Sequence, residues 1–214
     1  MKILLIAPPG AGKGTQGVVI ASHFDIPHIA TGDLLRDHVA RGTELGQAVQ
    51  SHLDRGQLVP DEIVLQMVRT ALEATGAGGY VLDGVPRTMA QARALYEIGV
   101  ELDLVADVAL HLQVTDAELI RRLLARAQGQ GRTDDTQDVI EHRLKLYYEV
   151  TEPIISWYRE RGILVTVDAM RPADQVGRQI LTALEVMKQM SEGHPEMSRT
   201  SIDLTSLGVA FGAR

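Results

Sequence analysis

The sequence predicts an α/β fold: one parallel β-sheet with helices packed on both of its faces. Three features carry that prediction. Short, continuously apolar runs recur along the 214 residues, amphipathic segments separate them, and a glycine-rich turn ending in a lysine joins the first run to the first helix. Strands buried on both faces read as unbroken apolar runs, and strand–helix alternation implies βαβ units.

The first run, Lys2–Ala7, ends at Pro8-Pro9-Gly10; similar runs fall at Tyr80–Leu82, Val105–Leu112 and Ile163–Val167, with a weaker one at His28–Ala30. Helical periodicity predicts helices over Gly14–Phe24, Leu34–Val39, Ile63–Leu72, Met89–Glu97, Ala117–Arg126, Val139–Tyr158 and Ala173–Met187. Thr115-Asp116-Ala117-Glu118 has the spacing of a capping box at a helix start. Pro153 interrupts a long helical pattern and predicts a kink or a boundary there. Between the second strand and Tyr80 the pattern gives at least two helices and no strand, which reads as a helical insertion. Ala127 to Thr136, rich in Gly, Gln and Asp, reads as an exposed, mobile loop. The segment 189–214 changes composition and predicts a flexible or loosely docked tail with an apolar end, Leu207–Phe211.

Composition narrows the function. Asp and Glu total 28 against 21 Lys and Arg, a net charge of -7, which argues against nucleic acid or an anionic membrane as the main partner. Any anion site must then be a local concentration of basic side chains. The chain has no Cys, which excludes disulfides and thiolate zinc sites. The N-terminal apolar run is too short for a secretion signal and no stretch has the length of a membrane span, so the expected location is the cytoplasm.

Gly10-Ala11-Gly12-Lys13-Gly14-Thr15 follows the first strand and opens the first helix. In that setting glycines let backbone N–H groups turn inward around phosphate oxygens. The helix N-terminus adds partial positive charge, and Lys13 adds a full one. Two departures from G-x-x-x-x-G-K-[ST] stand out: Ala7 replaces the first Gly, and Gly14 follows the lysine where a hydroxyl is usual, with Thr15 one step later. The second implies that metal is not held as in most P-loop ATPases.

The segments PPGAGKGTQ (8–16), TGDLLR (31–36), GQLVP (56–60), LDGVPRT (82–88) with Gln91, RLLAR (122–126), GRTDD (131–135) and HRLKLYYEVTEP (142–153) together resemble the adenylate kinases of the short-lid type. The resemblance covers residues 1–188. It implies a P-loop NTPase-type sheet with a helical AMP-binding lid at about 30–59 and a short ATP lid at about 126–136. It also implies that ATP phosphates lie on Gly10, Ala11, Gly12, Lys13, Gly14 and Thr15. AMP would lie against Thr31, Arg36, Gln57, Leu58, Val59, Gly84, Val85, Pro86, Arg87 and Gln91. Lys13, Arg87, Arg126, Arg132 and Arg143 would surround the transferring phosphoryl group, with Arg132 and Arg143 also reaching AMP. Arg122 and Arg171 would lie by the adenine of ATP. Asp83, at the end of a buried strand, would meet Mg²⁺ through water, and no zinc is implied. The implied ligands are ATP, AMP and ADP, and the implied state is a monomer.

Arginine suits phosphoryl transfer because its planar fork grips phosphate oxygens in pairs and stays charged. Bland roles compete at several positions. Gln91 stands three residues after Thr88 and could close a capping box. Arg121 reads as solvated helix surface, and Asp134 and Asp135 as loop solubilisers or partners of lid arginines. The seven His show no metal spacing. Trp157, Tyr147 and Tyr148 read as core. Val85 stands where the family usually has an aromatic residue, and Arg171 where it usually has Gly. The rival reading within the class is a UMP/CMP kinase, disfavoured by Thr31. A non-catalytic nucleotide-binding protein is disfavoured by retention of Lys13 and the arginines.

Overall fold

The computed structural model describes residues 1–130, 136–193 and 209–211. Five strands, β1 (Lys2–Ile6), β2 (His28–Ala30), β3 (Tyr80–Asp83), β4 (Val108–Gln113) and β5 (Leu164–Asp168), run parallel in the order β2-β3-β1-β4-β5. A sixth, β6 (Val209–Phe211), lies antiparallel beside β5. The five parallel strands fall on the five apolar runs.

Those runs are unbroken because both faces of the sheet are covered. Along β1, Ile3 and Leu5 pack on one side with α1 (Lys13–Phe24), α6 (Asp116–Gln130), α7 (Gln137–Leu146) and α9 (Ala173–Gly193), through Ile20, Leu119, Ile140 and Ile180. Leu4 and Ile6 face the other layer, where α2 (Thr31–Ala40), α4 (Asp61–Thr75), α5 (Met89–Glu101) and α8 (Pro153–Glu160) contribute Leu35, Val68, Leu95 and Ile154. Alternate residues of one strand thus serve two cores. From β1 the chain moves to β2 and β3 on one side, then to β4 and β5 on the other. The carboxyl end of β1 therefore lies at the reversal where open α/β sheets bind ligands.

The insertion between β2 and β3, expected to hold at least two helices and no strand, holds three helices and no strand, since α3 (Glu44–Asp54) lies between α2 and α4. Thr43 caps α3, accepting from Gly46 N at 3.1 Å. Gly46 disguises the element, yet the packing requires it: a Cβ there would stand 2.1 Å from the His38 carbonyl oxygen in α2. The expected loop from Ala127 begins too early, because α6 continues to Gln130. Residues 131–135 lie outside the described residues, and with them Arg132, Asp134 and Asp135. Helix α6 does start at Asp116, but without a reciprocal capping box. Thr115 N faces Met170 Sδ at 3.5 Å, and the Glu118 carboxylate is taken by Arg121 and Arg122. The long pattern over 139–158 breaks at a π-helical turn, Tyr147–Thr151, just ahead of Pro153, which begins α8 at a position where its missing N–H costs nothing. In the segment 189–214, α9 runs on to Gly193, and 209–211 pair with β5.

Candidate active site

A cleft of about 1130 Å³ opens along the carboxyl ends of β1, β3 and β5. Its floor is the turn from β1 into α1. Gly12 caps α1 at φ 96°, a left-handed conformation that favours glycine, with no side chain bonded to the helix end. The first-turn N–H groups of α1 are therefore left for a ligand. Lys13 Nζ folds back onto the same turn, donating to the carbonyls of Ala7 at 2.7 Å and Pro8 at 3.1 Å. Ala7 thus supplies a carbonyl that the lysine rests on. Burial pushes the Lys13 pKa down to about 8 against the opposing pull of Asp83, with Arg87 and Arg126 pushing the same way as burial. A site that strains to keep one cation charged is suited to receiving an anion.

Among the described residues, seven arginines line the cleft with Lys13: Arg36, Arg87, Arg121, Arg122, Arg126, Arg143 and Arg171. Three described carboxylates, Asp33, Asp83 and Glu118, oppose them. In a chain of net charge -7 this is the local basic concentration that an anion site requires. Arg121, expected on a solvated face, is 68% exposed in its side chain yet stands at the mouth. Arg122 is held by two elements, donating from Nε to Glu118 at 2.7 Å and from a terminal nitrogen to the Ala169 carbonyl beyond β5 at 2.9 Å. The Glu118 carboxyl, bonded first by Arg121 and then by Arg122, falls to about 2.

The opposite half of the cleft is built by α2, α3 and the turn after β3. Thr31 opens α2, is 3% exposed and donates to the Asp83 carbonyl at 3.1 Å. Arg36 pairs with Asp33 one turn earlier. Gln57, Leu58 and Val59 border this half between α3 and α4. In the turn after β3, Gly84 accepts from Arg87 Nε at 2.8 Å, and the peptide between Val85 and Pro86 is cis. Val85 is buried in the core and does not line the cleft. Burial lowers the Arg87 pKa, Asp83 pulls it back up, and Arg143 and Arg36 lower it further. Arg143, on α7, reaches the Leu53 carbonyl at the end of α3 at 3.4 Å. The candidate residues that are described therefore converge on one cleft, Val85 excepted.

Asp83 sits between the halves. Burial alone would raise its pKa, but His28, Lys13 and Arg87 together hold it below the usual carboxylate range. No group of three or more His, Cys, Asp or Glu suited to a metal occurs among the described residues. A Cβ built at Gly14 would point toward Asp83 Oδ2 at 4.0 Å. The room that a hydroxyl would occupy after the lysine is thus empty beside this carboxylate. That fits Mg²⁺, which binds few protein oxygens, keeps its waters and shares phosphates with the protein. Tyr147 reads correctly as core, although it also borders the cleft, while Tyr148 is 37% exposed.

Sequence reasoning missed two kinds of residue here. Glu118 has the spacing of a cap, but its carboxylate fixes Arg121 and Arg122 instead. Asp61 and Thr151, which hold the turn around Arg87, carried no signal because their partners are distant in the chain: Thr151 donates to the Arg87 carbonyl at 2.9 Å.

Fold and cleft together define a P-loop α/β protein whose phosphate cradle faces a second, arginine-lined compartment. The family model for adenylate kinase matches residues 5–163. Proteins named adenylate kinase from Thermobifida fusca and Kocuria rhizophila are each 47% identical, over 86% of this chain and 98% of their own lengths. One from Thermus thermophilus is 41% identical over 86% of this chain and 97% of its own. The chain belongs to the adenylate kinase family.

Proposed function

We propose that the protein catalyses reversible transfer of the γ-phosphoryl group of ATP to AMP, giving two ADP. The observation that carries this reading is the pairing of an uncapped α1 N-terminus and Lys13 with a second half-cleft containing Thr31, Arg36, Arg87 and Gln91. ATP phosphates lie on residues 10–15, and its adenine lies between Arg122 and the Ala169–Ala173 wall that includes Arg171. AMP lies with its phosphate toward Arg36, Arg87 and Arg143 and its base toward Gln57–Val59 and Gln91. Lys13, Arg87, Arg126, Arg132 and Arg143 neutralise charge on the transferring group. Little covalent work is asked of the protein; alignment and electrostatic stabilisation supply the rate.

Bound with the nucleotide, Mg²⁺ would neutralise phosphate charge. Asp83 is the residue that would meet it, through water. The helical insertion at about 30–59 and the segment at about 126–136 act as lids over AMP and ATP. Closure excludes water, which strengthens each Arg–phosphate contact and prevents transfer to water. No described helix is long and apolar enough to cross a membrane. The net charge of -7 supports action on small molecules rather than nucleic acid, and the family resemblance supports a monomer working in the cytoplasm.

A coupled assay with Mg²⁺, ATP and each of AMP, CMP, UMP and GMP tests the reading. Turnover with AMP should exceed that with the pyrimidine nucleotides by a wide margin. Equal or greater turnover with CMP would replace the assignment by that of a pyrimidine nucleotide kinase on the same fold.

A further inference from the structure

Gln91 is 2% exposed and borders the AMP half of the cleft. Both ends of its side-chain amide are already engaged. Oε1 accepts from the Arg87 backbone N–H at 2.7 Å, and Nε2 donates to Asp61 Oδ1 at 2.6 Å. Asp61 begins α4, thirty positions away in sequence, and its other oxygen accepts from the Thr88 hydroxyl at 2.9 Å. Thr88 in turn caps α5 by accepting from Gln91 N at 3.0 Å.

The two partners differ in what they allow. A carboxylate only accepts and a backbone N–H only donates. Reversing the Gln91 amide would set Nε2 against the Arg87 N–H and Oε1 against the Asp61 carboxylate, giving a donor–donor and an acceptor–acceptor clash. The amide is therefore held in one polarity. Each end keeps one unused valence, a proton on Nε2 and a lone pair on Oε1. A purine meeting this edge finds a donor and an acceptor in fixed places. Adenine offers an amino donor beside a ring-nitrogen acceptor, whereas guanine and hypoxanthine reverse the pair, with a carbonyl acceptor beside a ring N–H donor. A buried amide of fixed polarity discriminates between these because the wrong base leaves buried groups unpaired.

We propose that Asp61 is a specificity-determining positioning residue: it fixes the polarity of the Gln91 amide and so makes the acceptor site select 6-aminopurine over 6-oxopurine monophosphates. This rests on the reading that AMP occupies this half of the cleft. Asp61→Asn can offer Gln91 either an N–H or a carbonyl, so one of the two constraints disappears.

The test compares AMP and IMP as acceptors, with ATP, in the wild-type protein, Asp61→Asn and Thr88→Val. Binding of each monophosphate alone is measured by calorimetry. Asp61→Asn should lower the AMP-to-IMP ratio of kcat/KM about tenfold, the worth of one ordinary hydrogen bond, chiefly through a higher KM for AMP. The affinity ratio should move with it. Thr88→Val removes the other bond to Asp61 and the α5 cap, so it should lower the melting temperature without changing the ratio. A folded Asp61→Asn protein with the wild-type ratio overturns the proposal, as does a Thr88→Val protein that loses selectivity equally. NMR of the wild-type protein decides independently of any variant's folding. The Gln91 Nε2 protons should show NOEs to the Asp61 β-protons, and an NOE pattern placing them against the Arg87 amide proton overturns it. Wild-type protein that fails to phosphorylate AMP defeats the underlying assignment instead, which separates the two failures.

Discussion

Lys13 costs the fold stability while it serves the proposed chemistry. Its ammonium is buried on the carbonyls of Ala7 and Pro8, and its pKa falls from 10.5 to about 8. Between those values the unfolded chain binds more protons than the native one, so stability rises with pH through that window; below it the cost is fully present. Lys13→Met should therefore melt no lower than wild type at pH 7, and any advantage should shrink as pH approaches 10.5, as thermal melts across pH would show. The same substitution should remove most of kcat, by ~2.7–4 kcal/mol of barrier, the typical loss for one group that stabilises transition-state charge. Near-normal turnover by a folded Lys13→Met protein would refute the role. At this scale the sequence was informative for the cradle, because six consecutive residues carry it. It was mute about Asp61 and Thr151, whose effect depends on partners that only the fold brings near; Glu118 has its partners three and four residues on, but capping-box spacing competes for the same carboxylate.

The elements divide in the same way. Five parallel strands were legible because a strand buried on both faces has an apolar run as its signature. Helix α3 was not, although Leu45, Val49 and Leu53 keep helical spacing, because Gly46 breaks the propensity for a packing reason. Gly46→Val should drive α2 and α3 apart against backbone, lowering stability by ~1–3 kcal/mol. It should also raise the KM for AMP more than that for ATP, since Arg36 and the Gln57–Val59 edge ride on this pair; equal effects on both would argue against an AMP lid. The π-helical turn was invisible to periodicity, which registered only its neighbour Pro153. For the two lids, a ligand of two adenosines joined by five phosphates should protect 30–59 and 126–136 together from hydrogen exchange. ATP alone should protect mainly the second region and AMP alone mainly the first. Arg132→Ala should lower kcat far more than it weakens AMP binding. Unchanged exchange over 126–136 with the joined ligand would mean that the segment is not a lid.

At the scale of the whole molecule, the described strands form a parallel sheet with one antiparallel addition. Ile163 O accepts from Ala109 N at 2.8 Å, and Ala169 N donates to Gln113 O at 2.9 Å. The odd-numbered residues of this stretch therefore bond β4. Thr166 turns its N–H and carbonyl the other way, toward its register partner Ala210. Ala210→Pro removes a ladder donor, whereas Val209→Pro removes an N–H that faces away from β5. The amide of Thr166 should exchange markedly faster in Ala210→Pro than in Val209→Pro; equal protection in both would mean that β6 does not seal this edge. The consequence is colloidal as much as structural. Bared peptide groups along a flat outer strand are a template on which another molecule can add. Self-association that climbs with protein concentration should therefore accompany Ala210→Pro and spare Val209→Pro, so that the behaviour of a concentrated solution turns on a single peptide proton.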